Sequence, residues 1–183
     1  MIFSFITNKD IDVSLKEYFL NQVVNGDHHV IKKAEGAAFS LIKSALNSRY
    51  DLAKLFPLIK EWNTAQAYLE GEYSCKNDII YKALSDNTGN APATGSTYWV
   101  EDDPRDMLLV LHCVNITIYY LLKRISPRKV TQEVDDCYHM ALDWLEDVKR
   151  ERENPDFPLI DTDTGIGGLE VRGGSNEKID HYY

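Results

Sequence analysis

Apolar positions along the chain fall into four stretches of helical period and one region of different texture. Leu15, Phe19 and Val23 recur at four-residue spacing between Asn8 and Val24, with Asn8 or Asp10 placed to cap the start. They predict a short amphipathic helix, which Asn25-Gly26-Asp27 stops. Val30, Ala34, Ala37, Ala38, Leu41 and Ala45 form a broad apolar arc opposite Lys32, Gly36, Lys43 and Asn47. This predicts a second helix from about His28 to Ser48, capped by Asp27. From Met107 to Leu122 apolar residues occupy every side of the helical wheel, broken only by His112, Asn115 and Thr117, the pattern of a helix buried all round. Asp102-Asp103-Pro104-Arg105-Asp106 supplies its start, with carboxylates at the positive end of the helix dipole and proline where a missing N–H costs nothing. A membrane span needs roughly twenty apolar residues without such polar breaks, so a central core helix is the better reading. Ser126-Pro127 ends it. Thr131 then caps a fourth helix whose Val134, Cys137, Tyr138, Ala141, Leu142, Leu145 and Val148 share a face, opposite Asp135, Asp136, Asp143 and Glu146.

Between Trp62 and Val100 the texture changes to Tyr, Gly, Asn, Thr and Pro around short apolar runs, with Asp78 to Leu84 the best strand. Gly71, Asn87-Thr88-Gly89-Asn90 and Ala91-Pro92 punctuate it, and Trp62, Tyr68, Tyr81 and Trp99 supply its own small core. Beyond Asn154-Pro155 the chain is rich in glycine and ends Asp180-His181-Tyr182-Tyr183. The expectation is a mainly α protein. A four-helix core (residues 1–60 and 102–154) carries a small β-rich insert (61–101) between the second and third helices and an extended C-terminal tail (155–183).

Composition narrows the function. Of 183 residues, 44% are hydrophobic and 27% charged, as in an ordinary globular chain. Twenty Lys plus Arg against twenty-nine Asp plus Glu give a net charge of −9, which disfavours generic binding to nucleic acid. Cys75, Cys113 and Cys137 are odd in number and lack C-x-x-C spacing, so they read as reduced thiols, and Met1 to Thr7 lacks the features of a secretory signal. His28, His29, His112, His139 and His181 are scattered with no metal-ligand spacing. Asp161-Thr162-Asp163-Thr164-Gly165 opens like a calcium loop but has Arg172 at its twelfth position. Neither a nucleophile elbow nor a phosphate loop is present, so no catalytic residue, cofactor or metal is assigned, and the chain is not read as an enzyme. The candidates for docking a partner are the cations Arg124, Arg128 and Lys129 around Ser126-Pro127 and the terminal His181, Tyr182 and Tyr183.

The order of elements, together with Arg49-Tyr50-Asp51, Asp103-Pro104-Arg105-Asp106, Arg124-Ile125-Ser126-Pro127-Arg128, Gly174-Ser175-Asn176 and the closing His181-Tyr182-Tyr183, resembles the head-to-tail connector, or neck, proteins of tailed bacteriophages, in particular those of Mu-like prophages. The resemblance covers nearly the whole chain. It implies a non-enzymatic virion protein, assembled in the host cytoplasm. Such a protein forms a cyclic homo-oligomer of about twelve copies at the head–tail junction. It binds the portal and adjacent neck or tail proteins, and it forms part of a channel through which DNA passes without specific binding and with no membrane involved. Separately, Trp62, Tyr68, Gly71, Tyr81-Lys82-Ala83, the run from Asn87 to Pro92 and Trp99 resemble the small carbohydrate-binding modules of chitinases. That resemblance implies an alternative role as a glycan-binding or decoration module acting through the insert. Where those modules expose stacking aromatics, this chain has Leu84-Ser85-Asp86.

Overall fold

The computed structural model describes residues 5–14, 28–125, 128 and 130–161. Helix α1 (Asn8–Ser14) is followed by α2 (His28–Leu46) and the single turn α3 (Leu52–Leu55). The strands β1 (Ile59–Glu61), β2 (Ala67–Tyr68), β3 (Tyr73–Lys76), β4 (Ile79–Ala83), β5 (Asn87–Thr88) and β6 (Trp99–Glu101) come next, and then the long helices α4 (Met107–Ile125) and α5 (Gln132–Lys149).

The mainly α, four-helix expectation is overturned. Of the described residues 47% are helical, in five helices, and the rest include a mixed four-stranded sheet and a two-stranded one, which is an α+β architecture. The cause is pairing between positions remote in sequence. After Pro57 the chain runs extended, and β1 pairs in parallel with β3, setting Ile59 against Tyr73 and Glu61 against Cys75. The sheet order is β1-β3-β4-β6, while β2 and β5 form a separate antiparallel ribbon. Two- and three-residue strands have no periodicity to display; only their partners make them strands. The β3–β4 hairpin turns through Asn77 and Asp78, with φ of 54° and 60°. Two successive positive-φ residues match the twist of a two-residue hairpin, and Asn and Asp tolerate that region better than other side chains.

Local start signals shift as well. The cap of α1 is Thr7 rather than Asn8 or Asp10: the Thr7 hydroxyl accepts from the Asp10 N–H (3.2 Å), and the Asp10 carboxylate accepts from the Thr7 N–H (2.7 Å). These two bonds satisfy donors reciprocally. Helix α4 begins at Met107, with the Asp106 carboxylate accepting from the Leu109 N–H, so Pro104 lies before the helix instead of in its first turn. Thr131 caps α5 as its sequence suggests, accepting from the Val134 N–H.

Helix α4 is the centre of the helical body and packs against α1, α2 and α5. Ile42 and Leu46 from α2, Leu109, Cys113 and Ile116 from α4, and Ala141 from α5 are sealed from solvent in one continuous cluster. The helix is not buried all round, however: Met107, Leu108 and Leu111 are exposed on its first turns. The segment from Pro155 to Asp161, expected as loose tail, is fastened at its middle. The Asp51 N–H donates to the Pro158 carbonyl (2.8 Å), the Ile160 N–H donates to the Arg49 carbonyl (3.0 Å), and Tyr50 and Leu159 form an antiparallel bridge.

Candidate functional site

Two of the sequence motifs become joints between segments far apart in the chain. Arg105, with its side chain 3% exposed, sits between Asp10 at 2.7 Å and Asp103 at 2.7 Å and donates to the Phe5 carbonyl at 2.8 Å. Burial opposes its charge, but the hydrogen bonds it donates to Asp103 and Asp10 outweigh that and raise its pKa. The motif from Asp103 to Asp106 thus ties residues 5–10 to the head of α4. Being pulled into this cluster is also why Arg105 and the proline before it are not helical.

The second joint is Arg49-Tyr50-Asp51. Besides holding the backbone of residues 158–160, Tyr50 is 2% exposed and packs edge-on against Phe157 (5.4 Å between centroids), with the Arg49 guanidinium over its ring at 5.3 Å. Phe157 contacts Trp144 of α5, which in turn stacks on His112 of α4 at 4.5 Å. A ladder of rings therefore runs from the loop after α2 through the post-α5 segment into the bundle. Among the described residues, neither ring nitrogen of buried His112 has a hydrogen-bond partner. Burial lowers its pKa, with Asp106 opposing.

Of the three cations expected to dock a partner, two are described. Arg124 is exposed at the end of α4 and lines an apolar groove of about 410 Å³ between α2 and α4, together with Val30, Lys33, Ala34, Ala37, Tyr120, Leu121 and Lys123. Arg128 is exposed just beyond. Lys129, His181, Tyr182 and Tyr183 lie outside the described residues, as do the expected cap Asp27 and the apolar trio Leu15, Phe19 and Val23. The groove left no mark in the sequence as a unit, because its two walls come from different helices.

In the insert, Tyr68, Tyr81 and Trp99 are buried together with Ala83, and half-buried Trp62 packs against them. Trp99 donates its indole N–H to the Asn90 carbonyl (2.8 Å), and Tyr68 meets Trp99 edge-on at 5.1 Å. Ile59, Cys75 and Ile80 fill the other sheet face, next to half-buried Tyr73. Beyond them that face is open, carrying Tyr98 (40% exposed), Leu84 and Val100. Between insert and helices lies a cleft of about 600 Å³ whose wall mixes Lys32, Glu35, Glu61, Trp62, Lys76 and Asp78. It too has no signature as a unit in the sequence, where the turn at Asn77-Asp78 is its one local signal. Asp78 accepts there from the Asn8 backbone at 3.2 Å.

The chemistry present is that of packing and pairing. Burial pushes the Cys75 thiol up to about 11 and Cys113 to about 12, so neither is a thiolate near neutral pH. Tyr138, stacked flat on Tyr119 at 3.8 Å, is likewise raised to about 12 by burial and then by Tyr120. Among the described residues no three His, Cys, Asp or Glu side chains gather as metal ligands. Among the described residues one helix, over Met107–Arg124, is long and apolar enough to cross a membrane, and 61% of it is buried inside the protein.

Compared with protein-family models, with curated proteins and with solved structures, the chain matches none.

Proposed function

We propose that this protein is a structural virion component, a head-to-tail connector subunit that forms a ring at the neck of a tailed phage and contributes to the channel for the genome. The observation that carries the reading is the role of its motif residues. Arg49-Tyr50-Asp51 and Asp103-Pro104-Arg105-Asp106, two of the motifs that carry the resemblance to neck proteins, both close long-range joints in the helical body. Neither motif converges on a nucleophile–base pair. The net charge of −9 suits a channel that lets DNA slide past, since acidic walls repel phosphate. Arg124 and Arg128, exposed at one end of α4, supply cations for contact with the portal or a neighbouring neck protein. The glycan-binding alternative is less favoured because Tyr68, Tyr81 and Trp99 are consumed by the insert's own core, leaving Tyr98 as the exposed ring on the open face.

The reading is tested in particles made without the protein. DNA-filled heads and separate, unattached tails are the expected outcome, with joining restored when purified protein is added. Normal joined particles at undiminished titre would contradict it.

A further inference from the structure

Helix α4 borders two apolar features of different shape. At its start Met107, Leu108 and Leu111 stand out as an exposed ridge, with exposures of 59%, 42% and 48%. At its end half-buried Tyr120, with the core residue Leu121 beside it, forms one wall of the groove whose other wall is Val30, Ala34 and Ala37 of α2. With 100° and 1.5 Å per residue, ridge and groove lie roughly 140° apart around the helix and about 20 Å apart along it. They therefore face different neighbours.

Their rims carry opposite charge. The ridge follows Glu101, Asp102, Asp103 and Asp106, four carboxylates against the single guanidinium of Arg105, which is already buried between Asp10 and Asp103. Lys33, Lys123 and Arg124 border the groove. Of these, Lys123 donates to the Tyr119 hydroxyl, and Arg124 has no ion pair among the described residues. One molecule thus holds an apolar projection with an acidic rim and an apolar recess with a basic rim, placed on different sides.

We propose that the ridge of one subunit seats in the α2–α4 groove of a second copy, so that α4 supplies both halves of a head-to-tail contact. The inference rests on the ring reading above and adds where the ring closes. Because each subunit keeps a free groove after its ridge is used, and a free ridge after its groove is used, the contact repeats until rotation closes it. Leu111 is the central anchor, excluded from water by its neighbours, while the rim charges set register and speed the encounter.

The test uses the full chain in two single variants at exposed positions, Leu111→Lys in the ridge and Ala37→Arg in the groove, with circular dichroism confirming that each is folded. Native mass spectrometry and sedimentation are expected to show assemblies for the parent chain that weaken as salt is raised. Each variant alone should weaken assembly at least about tenfold. Mixed in equal amounts, the two should form a heterodimer that stops at two subunits, since the pair retains one intact ridge and one intact groove facing each other. Rings that persist in both variants, or a mixture giving no heterodimer, would overturn the contact and leave the ring itself standing. A parent chain that stays monomeric at millimolar concentration would also overturn it, and the particle-joining experiment then decides separately whether the neck reading falls.

Discussion

The helical body and the β insert solve the problem of burial in opposite ways. In the body, buried residues from Ile6 to Phe157 join into one cluster of twenty, whereas the insert holds one cluster of four and another of three. A single large core makes a cooperative unit; clusters of that smaller size leave a sheet dependent on its backbone ladder and on a few large side chains. The two regions meet through exposed polar contacts such as Asn8 to Asp78 and across the cleft, whose wall mixes charged side chains with Ile6, Ile11 and Ile31. The larger share of the buried core therefore belongs to the body.

The largest effect that would sharpen this contrast is expected from Arg105→Ala. It leaves Asp10 and Asp103 without their buried partner and frees the Phe5 carbonyl, a loss of about 3–5 kcal/mol. Thermal or denaturant unfolding should show the whole helical signal melting earlier in a single step. A comparable loss of about 3–5 kcal/mol is expected within the insert for Trp99→Ala, which removes the largest ring from the Tyr68–Tyr81 cluster and orphans the Asn90 carbonyl. Here hydrogen exchange should rise across β3, β4 and β6 while α2, α4 and α5 stay protected. Simultaneous loss of protection in the helices would break the comparison.

A smaller effect comes from pH, and it belongs to the body. The folded pKa of His112 is lowered from the ordinary 6.5, chiefly by burial, so the native state holds the ring neutral. The stabilisation is complete above the unfolded value and is lost as pH falls below it through the lowered folded value, where the unfolded chain binds a proton that the folded one resists. His112→Phe, which keeps an aromatic face against Trp144, should flatten that part of the stability–pH curve in urea titrations. An unchanged slope would show that His112 is not the group responsible. The smallest change expected is about 1 kcal/mol for Thr131→Ala, confined to the start of α5 and readable as a small shift in unfolding midpoint.

What the sequence disclosed follows from the range of the interactions involved. Helix α2 announced itself through Val30, Ala34 and Ala38, and α5 through the Thr131 cap, because spacing and capping act over a few residues. The run Asp78 to Leu84 contains β4 for the same reason. By contrast, β1 becomes a strand only because Tyr73 to Cys75 lie beside it. Thr7 replaces the expected cap because Asp10 answers it three residues on. Arg105 leaves the helix it was expected to open because Asp10 and the Phe5 carbonyl, about a hundred residues away, claim its guanidinium. Nothing near Leu159 in the sequence signals its bridge to Tyr50, more than a hundred positions away. At the candidate site, Arg124 is legible as a helix-end cation from its own neighbours. The recess beside it could not, since Val30, Ala34 and Ala37 reach it from another helix.

The most direct measurement is cryo-electron microscopy of the neck in assembled particles. The account predicts a closed ring of this chain below the portal, helical bodies in contact through the two ends of α4 and the inserts standing away from the subunit interface. A neck without this chain, or a ring held together by the inserts with the helical bodies apart, would contradict it.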